Sequence, residues 1–105
     1  STHYAADAAT PVAKKFIEGF QARYGNLPDD VAALTYDSFG LLVQAIKSAR
    51  KLDRATIRDA LAGIPNYEGV TGNMQFKEGS GDPVKSAVIV KIKDGKFQYF
   101  ASANP

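Results

Sequence analysis

No cysteine occurs in the 105 residues, so disulfides and thiolate chemistry are excluded. That count leaves the compartment open, because a secreted domain with an adequate core needs no bridges. No apolar run reaches the roughly 18 residues of a membrane-spanning helix. The first residues carry neither the charged nor the apolar region of a signal peptide, which says nothing about what precedes Ser1. Charge of one sign is never massed: 13 Lys and Arg are scattered among 11 Asp and Glu, for a net charge of +2. The electrostatic footprint of a nucleic-acid binder is therefore lacking. Internal repeats and low-complexity tracts are lacking as well. What is present is ordinary for a globular chain, with 45% hydrophobic and 23% charged residues. The length fits one domain, so any second lobe must come from elsewhere.

Three helices are predicted, each with its own start signal. Thr10 is an N-cap candidate followed by Pro11 at the first helical position. Val12, Phe16, Ile17, Phe20 and Tyr24 then form one apolar stripe, and Gly25 can take positive φ beyond it, so helix one spans about Pro11 to Tyr24. Asp29 and Asp30 place acid at the start of the second pattern, where the helix dipole favours it. Leu34, Leu41, Leu42, Ala45, Ile46 and Ala49 carry that pattern for about five turns, until Leu52-Asp53 breaks it. Asp53 caps a short third helix over about Arg54 to Ala62, stopped by Gly63 and Pro65.

From Tyr67 the texture changes. Gly69, Gly72, Gly79 and Gly81 punctuate a loop-rich connector in which only Met74-Gln75-Phe76 reads as extended. Beyond Pro83, a β-branched run from Ser86 to Lys93, the Asp94-Gly95 turn signal and an alternating run from Lys96 to Ala101 predict a terminal β-hairpin. Two strands make a marginal sheet in water and want further strands or a helix. Helix two is apolar on neighbouring faces as well, through Val31, Ala32, Ala33, Phe39 and Val43, and such a surface left bare exceeds what soluble monomers expose. Either the chain self-associates or its cover comes from another segment.

The ordered set of residues resembles one family. Phe16, Tyr24-Gly25, Pro28, Ala32-Ala33-Leu34-Thr35-Tyr36-Asp37, Leu41-Leu42 and Ala45-Ile46 are similar to the closing part of leucine, isoleucine and valine-binding proteins. Asp53-Arg54, Ile57-Arg58-Asp59-Ala60-Leu61, Gly69-Val70-Thr71-Gly72, Phe76, Gly81-Asp82-Pro83 and Ser86-Ala87-Val88-Ile89-Val90 continue the match in register over essentially all of the chain. The resemblance implies an α/β chain that is the C-terminal part of a type I periplasmic binding protein fold. In that fold two lobes are joined by crossing strands and close on a solute. It also implies a layout in which residues 1–75 are the helical part of one lobe after a hinge strand, with Ser1 to Tyr4 as the tail of that strand. Residues 76–83 become a crossing segment, and residues 84–105 the hairpin of the other lobe.

The function that follows from the resemblance is that of the substrate-binding component of an ABC transporter. Such a protein holds a small amino acid or related carboxylate non-covalently and delivers it to a permease, from the periplasm or from an extracellular lipid anchor. No cofactor is implied, and much of the site would come from a missing N-terminal portion of the same protein. His3 and Tyr4 lie where the family's hinge strand enters the cleft, and an imidazole or phenol there can bond or pack on a ligand; the bland reading is an exposed chain end. Val31 sits where family members place an aromatic or aliphatic residue against the ligand's apolar side chain, with helix-to-sheet packing as the alternative. Asp29 and Asp30 are better explained by capping than by ligand or metal binding.

Tyr36 and Asp37 read as a structural pair, the ring buried and the carboxylate bonded to a neighbouring loop. No second carboxylate is spaced to make Asp37 catalytic. The glycine-rich stretch lacks the Lys-Ser/Thr of a phosphate loop and serves as hinge and turn. Lys85, Lys91, Lys93 and Lys96 read as a solvated face that protects an edge strand, with permease contact as the weaker alternative. No catalytic residue and no metal ligand is nominated. Two rival functions stand beside transport: a self-associating structural or interaction module, and a ligand-sensing domain of the same fold.

Overall fold

The computed structural model describes residues 3–7 and 10–105. Three helices come first, α1 Pro11–Tyr24, α2 Asp30–Ser48 and α3 Arg54–Ala62. Each N-cap side chain accepts from the amide three residues on: Thr10 Oγ1 from Ala13 N at 3.1 Å, Asp29 Oδ1 from Ala32 N and Asp53 Oδ1 from Thr56 N, both at 2.8 Å. One orphan donor of each first turn is thereby satisfied. Gly25 closes α1 at φ 78°, a left-handed conformation that glycine adopts without a steric penalty. α2 stops at Ser48, short of the expected break at Leu52. The Ser48 hydroxyl donates to the carbonyls of Gln44 and Ala45, taking up acceptors of the last turn.

The connector is more structured than its sequence suggests. Instead of one extended piece at residues 74–76, it forms a three-stranded antiparallel sheet of β1 Tyr67–Gly69, β2 Gly72–Phe76 and β3 Pro83–Lys85. Phe76 pairs with Pro83, so the stretch assigned to a crossing folds back as the closed end of the β2–β3 hairpin. Two of these strands have three residues and the third five, too short for an alternating pattern to register in sequence.

β4 Ala87–Lys93 and β5 Lys96–Ala103 form the terminal hairpin, two residues longer at its end than predicted. Asp94 and Gly95 have φ of 52° and 73°, positive at both central positions as a type I′ turn requires. The register slips between Ile89 and Val90, where Phe100 is the extra residue of a β-bulge on β5. Of the expected strand tail over Ser1 to Tyr4, Ser1 and Thr2 lie outside the described residues, and His3 and Tyr4 pair with no strand.

Two small cores share one helix. Ala33, Asp37, Leu41 and Ala45 recur every four residues and form the buried line of α2. Ala33 packs with Tyr4, Ala13 and Val70, joined by Phe16 and Ile17. Leu41 and Ala45 pack with Ile64 and Met74, joined by Ile57, Ala60, Leu61 and Tyr67. Eight apolar residues are buried while fifteen large ones are exposed, so much of the apolar side-chain set lies outside the two cores. The hairpin strands pack on each other rather than on the helices, which gives a long molecule of 51 × 32 × 19 Å.

Candidate functional site

Asp37 sits between the two cores and is only 2% exposed. A carboxylate so placed must be hydrogen-bonded, and it is. Oδ1 accepts from Val70 N at 2.8 Å, and Oδ2 accepts from Thr71 N at 2.8 Å and from Thr71 Oγ1 at 2.6 Å. The side chain thus clamps the β1–β2 turn onto α2, as the sequence expects of a structural carboxylate. Its partner Tyr36 departs from that expectation: the ring is 54% exposed and stacks on Phe16 with centroids 4.6 Å apart. On a helix, adjacent residues point about 100° apart, so a buried Asp37 turns Tyr36 outward.

Lys85 also departs from the sequence expectation. It belongs to β3 rather than to the solvated face of the terminal hairpin, and its Nζ donates to Thr71 O at 2.6 Å and to Thr71 Oγ1. Thr71 Oγ1 links Lys85 to Asp37, accepting from the ammonium while donating to the carboxylate. Burial lowers the Lys85 pKa below its ordinary value, and the nearby Asp37 carboxylate acts in the opposite direction. Nothing local in the sequence marks Lys85 as different from Lys91, Lys93 and Lys96.

Beside this knot lies a cavity of about 700 Å³, between His3, Tyr4 and Ala5 on one side and the β1–β3 sheet and the end of the hairpin on the other. Its polar lining includes Asn66, Asn73, Gln75, Lys85 and Ser86. Tyr4 is 8% exposed, and its hydroxyl is the buried side-chain atom without a hydrogen-bond partner among the described residues. Burial, and after it the Asp29 carboxylate, raises the Tyr4 pKa. The structure therefore brings two of the three nominated residues, His3 and Tyr4, to one cavity. Val31 lies apart, 66% exposed on the first turn of α2 and outside that lining. Asp29 caps α2, as expected. Nothing in the sequence singles out the amide side chains and Lys85, because scattered polar residues give no spacing signal until the short sheet gathers them.

A second, apolar groove of about 770 Å³ runs between α1 and α2. Phe16, Phe20, Tyr24, Tyr36 and Phe39 line it, with Lys15 and Arg23 among the lining residues. Among the described residues no three His, Asp or Glu side chains form a metal-ligating group, and no helix is long and apolar enough to cross a membrane. The cavity offers hydrogen bonds and one partly desolvated cation to a polar solute, on a wall that is open to one side.

The periplasmic binding protein family model matches residues 1–96. The solved structure of the leucine-binding protein LivK from Thermotoga maritima is similar over 99% of this chain, with 37% identity and a TM-score of 0.86, and 30% of its own length is covered. A substrate-binding protein from Desulfitobacterium hafniense, solved with leucine, is similar over 92% of this chain at 32% identity and a TM-score of 0.85, with 29% of its length covered. LivJ from Streptococcus pneumoniae, solved with isoleucine, is similar over 99% of this chain at 30% identity and a TM-score of 0.84, again with 29% of its length covered. The chain thus spans about 30% of the length of the solved proteins it matches.

Proposed function

The chain belongs to the periplasmic binding protein family, and we propose that it forms part of a two-lobed, non-covalent binder of a small amino acid or related carboxylate. The observation that carries this reading is the likeness of nearly the whole chain to one stretch of leucine and isoleucine binders. The bound solute passes to the permease of an ABC transporter, in the periplasm or from an extracellular lipid anchor. His3 and Tyr4 form part of the wall beside the ligand. Val31, exposed at the start of α2, presents an aliphatic surface to the ligand's side chain once the second lobe closes over it. Ligand affinity draws the lobes together about their hinge.

On this reading the passage between lobes falls at Ser86, with the helices and β1–β3 in one lobe and β4–β5 in the other; supporting it, Ser86 is the single residue between β3 and β4. This keeps the layout suggested by the sequence and moves the crossing downstream of the 76–83 fold-back. The activity is binding without turnover. Supporting that, the hydrogen bonds of the buried carboxylate Asp37 go to Val70 and Thr71 of the β1–β2 turn on both oxygens, a structural role rather than that of a base.

Calorimetric titration with an amino acid panel tests the reading. A solute held between lobes needs polar groups converging from both, so the 105 residues alone bind weakly, and joining them to the rest of the two-lobed protein restores affinity. Micromolar binding by the monomeric chain alone, or no binding of any amino acid or carboxylate by the joined protein, overturns it. A second reading, self-association, is favoured by the bare α2 face of Phe39, Leu42, Val43 and Ile46.

A further inference from the structure

Among the described residues, the hairpin is joined to the rest of the molecule by a covalent link and by a hydrogen-bonded one. The covalent link is the single residue Ser86 between two separate sheets. The other is a carboxylate: Asp7 Oδ2 and Oδ1 accept from the backbone N–H of Tyr99 at 2.9 and 3.2 Å. The position follows from the ladder. With a two-residue turn, Lys93 pairs with Lys96 and Lys91 with Gln98 as hydrogen-bonded pairs, so the amides of Phe97 and Tyr99 point away from β4. Tyr99 also adjoins the bulge at Phe100, on the outer edge of the sheet where an amide has no ladder partner. Asp7 occupies that amide. Three residues before it, Tyr4 is buried against Ala13, Ala33 and Val70, so the carboxylate is anchored to the helical body through a short run of backbone.

We propose that Asp7 is a latch that holds the hairpin at a set angle to the helical body, with Ser86 as its pivot, and so sets the width of the cavity that His3 and Tyr4 share with Val88 and Ser102 of the hairpin. One residue between two sheets permits rotation, and the hairpin strands have no substantial packing on the helices to oppose it. The Asp7 bond is the specific restraint that the structure supplies. A charge-assisted bond favours one pose, while solvent exposure keeps it weak enough to open. The proposal concerns the pose of this chain and does not depend on which solute the cavity takes.

The absence of native cysteine allows a spin-label pair at Lys47→Cys and Lys93→Cys without background. Pulsed electron resonance on the pair reads the hairpin angle, and hydrogen exchange reads the Tyr99 amide. Asp7→Ala broadens the distance distribution and accelerates exchange at Tyr99 by about tenfold, while the Gln98 amide inside the ladder keeps its protection. Asp7→Asn, which retains one acceptor oxygen, falls between. Unchanged distances and unchanged Tyr99 exchange in Asp7→Ala overturn the latch. So does acceleration spread equally over Tyr99, Gln98 and the α2 amides, which would make Asp7 a requirement for folding instead.

Discussion

Asp37 shows how much one residue settles. Its three accepted bonds fix the β1–β2 turn, and Gly69 is part of the same fit, since a Cβ there would lie 2.6 Å from Asp37 Oδ2. Gly69→Ala must displace a carboxylate held on both oxygens, and chemical denaturation is expected to show a loss of about 1–3 kcal/mol. Asp37→Ala leaves two buried amides without an acceptor and is expected to cost about 3 kcal/mol in the same assay. Tyr4 behaves differently, because its buried hydroxyl has no partner to lose. Its pKa is raised above 10.0, first by burial and then by Asp29. The unfolded chain therefore releases the phenolic proton first as the pH rises. This contribution to stability is complete below pH 10.0 and is lost as the pH climbs through the folded value. Tyr67, raised by burial, then Asp37, then Tyr36, acts in the same direction. Lys85, lowered by burial, opposes it: the folded state releases its proton first, and stability rises as the pH approaches 10.5. Tyr4→Phe is expected to flatten the alkaline loss in thermal melts over about pH 9 to 11 and to leave neutral-pH stability equal or up to about 1 kcal/mol higher.

At the scale of elements, the helices were legible and the short strands were not. Thr10, Asp29 and Asp53 cap their helices through bonds spanning three residues, a range that sequence spacing reads directly. Asp94-Gly95 was legible for the same reason, because the turn type is decided by two adjacent φ angles. Gly95→Val is expected to lower hairpin stability by about 1 kcal/mol or more, read from the loss of amide protection across β4 and β5. β1 to β3 are not legible in sequence because the strands are short and the β1–β2 turn is gripped by Asp37, some 33 residues upstream. The candidate site was half legible. His3 and Tyr4 meet at one cavity, whereas Lys85 enters it through the pairing of β3 with β2, and Val31 is exposed outside its lining.

At the scale of the whole molecule, exposed apolar surface decides behaviour in solution. Phe39 at 65% exposed and Val43 at 47% form an α2 surface that no described residue covers. Surfaces of this kind favour association, and sedimentation of the isolated chain is expected to show oligomers growing with concentration. Phe39→Lys combined with Leu42→Glu is expected to shift that equilibrium toward monomer without unfolding the helices, since neither position belongs to a core cluster. A monomer of unchanged mass at high concentration in the parent chain would contradict the expectation.

Sequence by itself determined the three helix starts, the hairpin turn, the family likeness and the bareness of α2. Each of these rests on neighbours within a few residues or on the ordered run of the whole chain, so no spatial partner is needed to see it. Tertiary structure alone decided that Asp37 grips the β1–β2 turn, that Lys85 leaves the solvated face to bond Thr71, that Tyr36 turns outward, and that Asp7 reaches Tyr99. Each of those depends on groups distant in sequence, or on which face of a helix is buried, and a buried polar group takes whichever partner the fold presents.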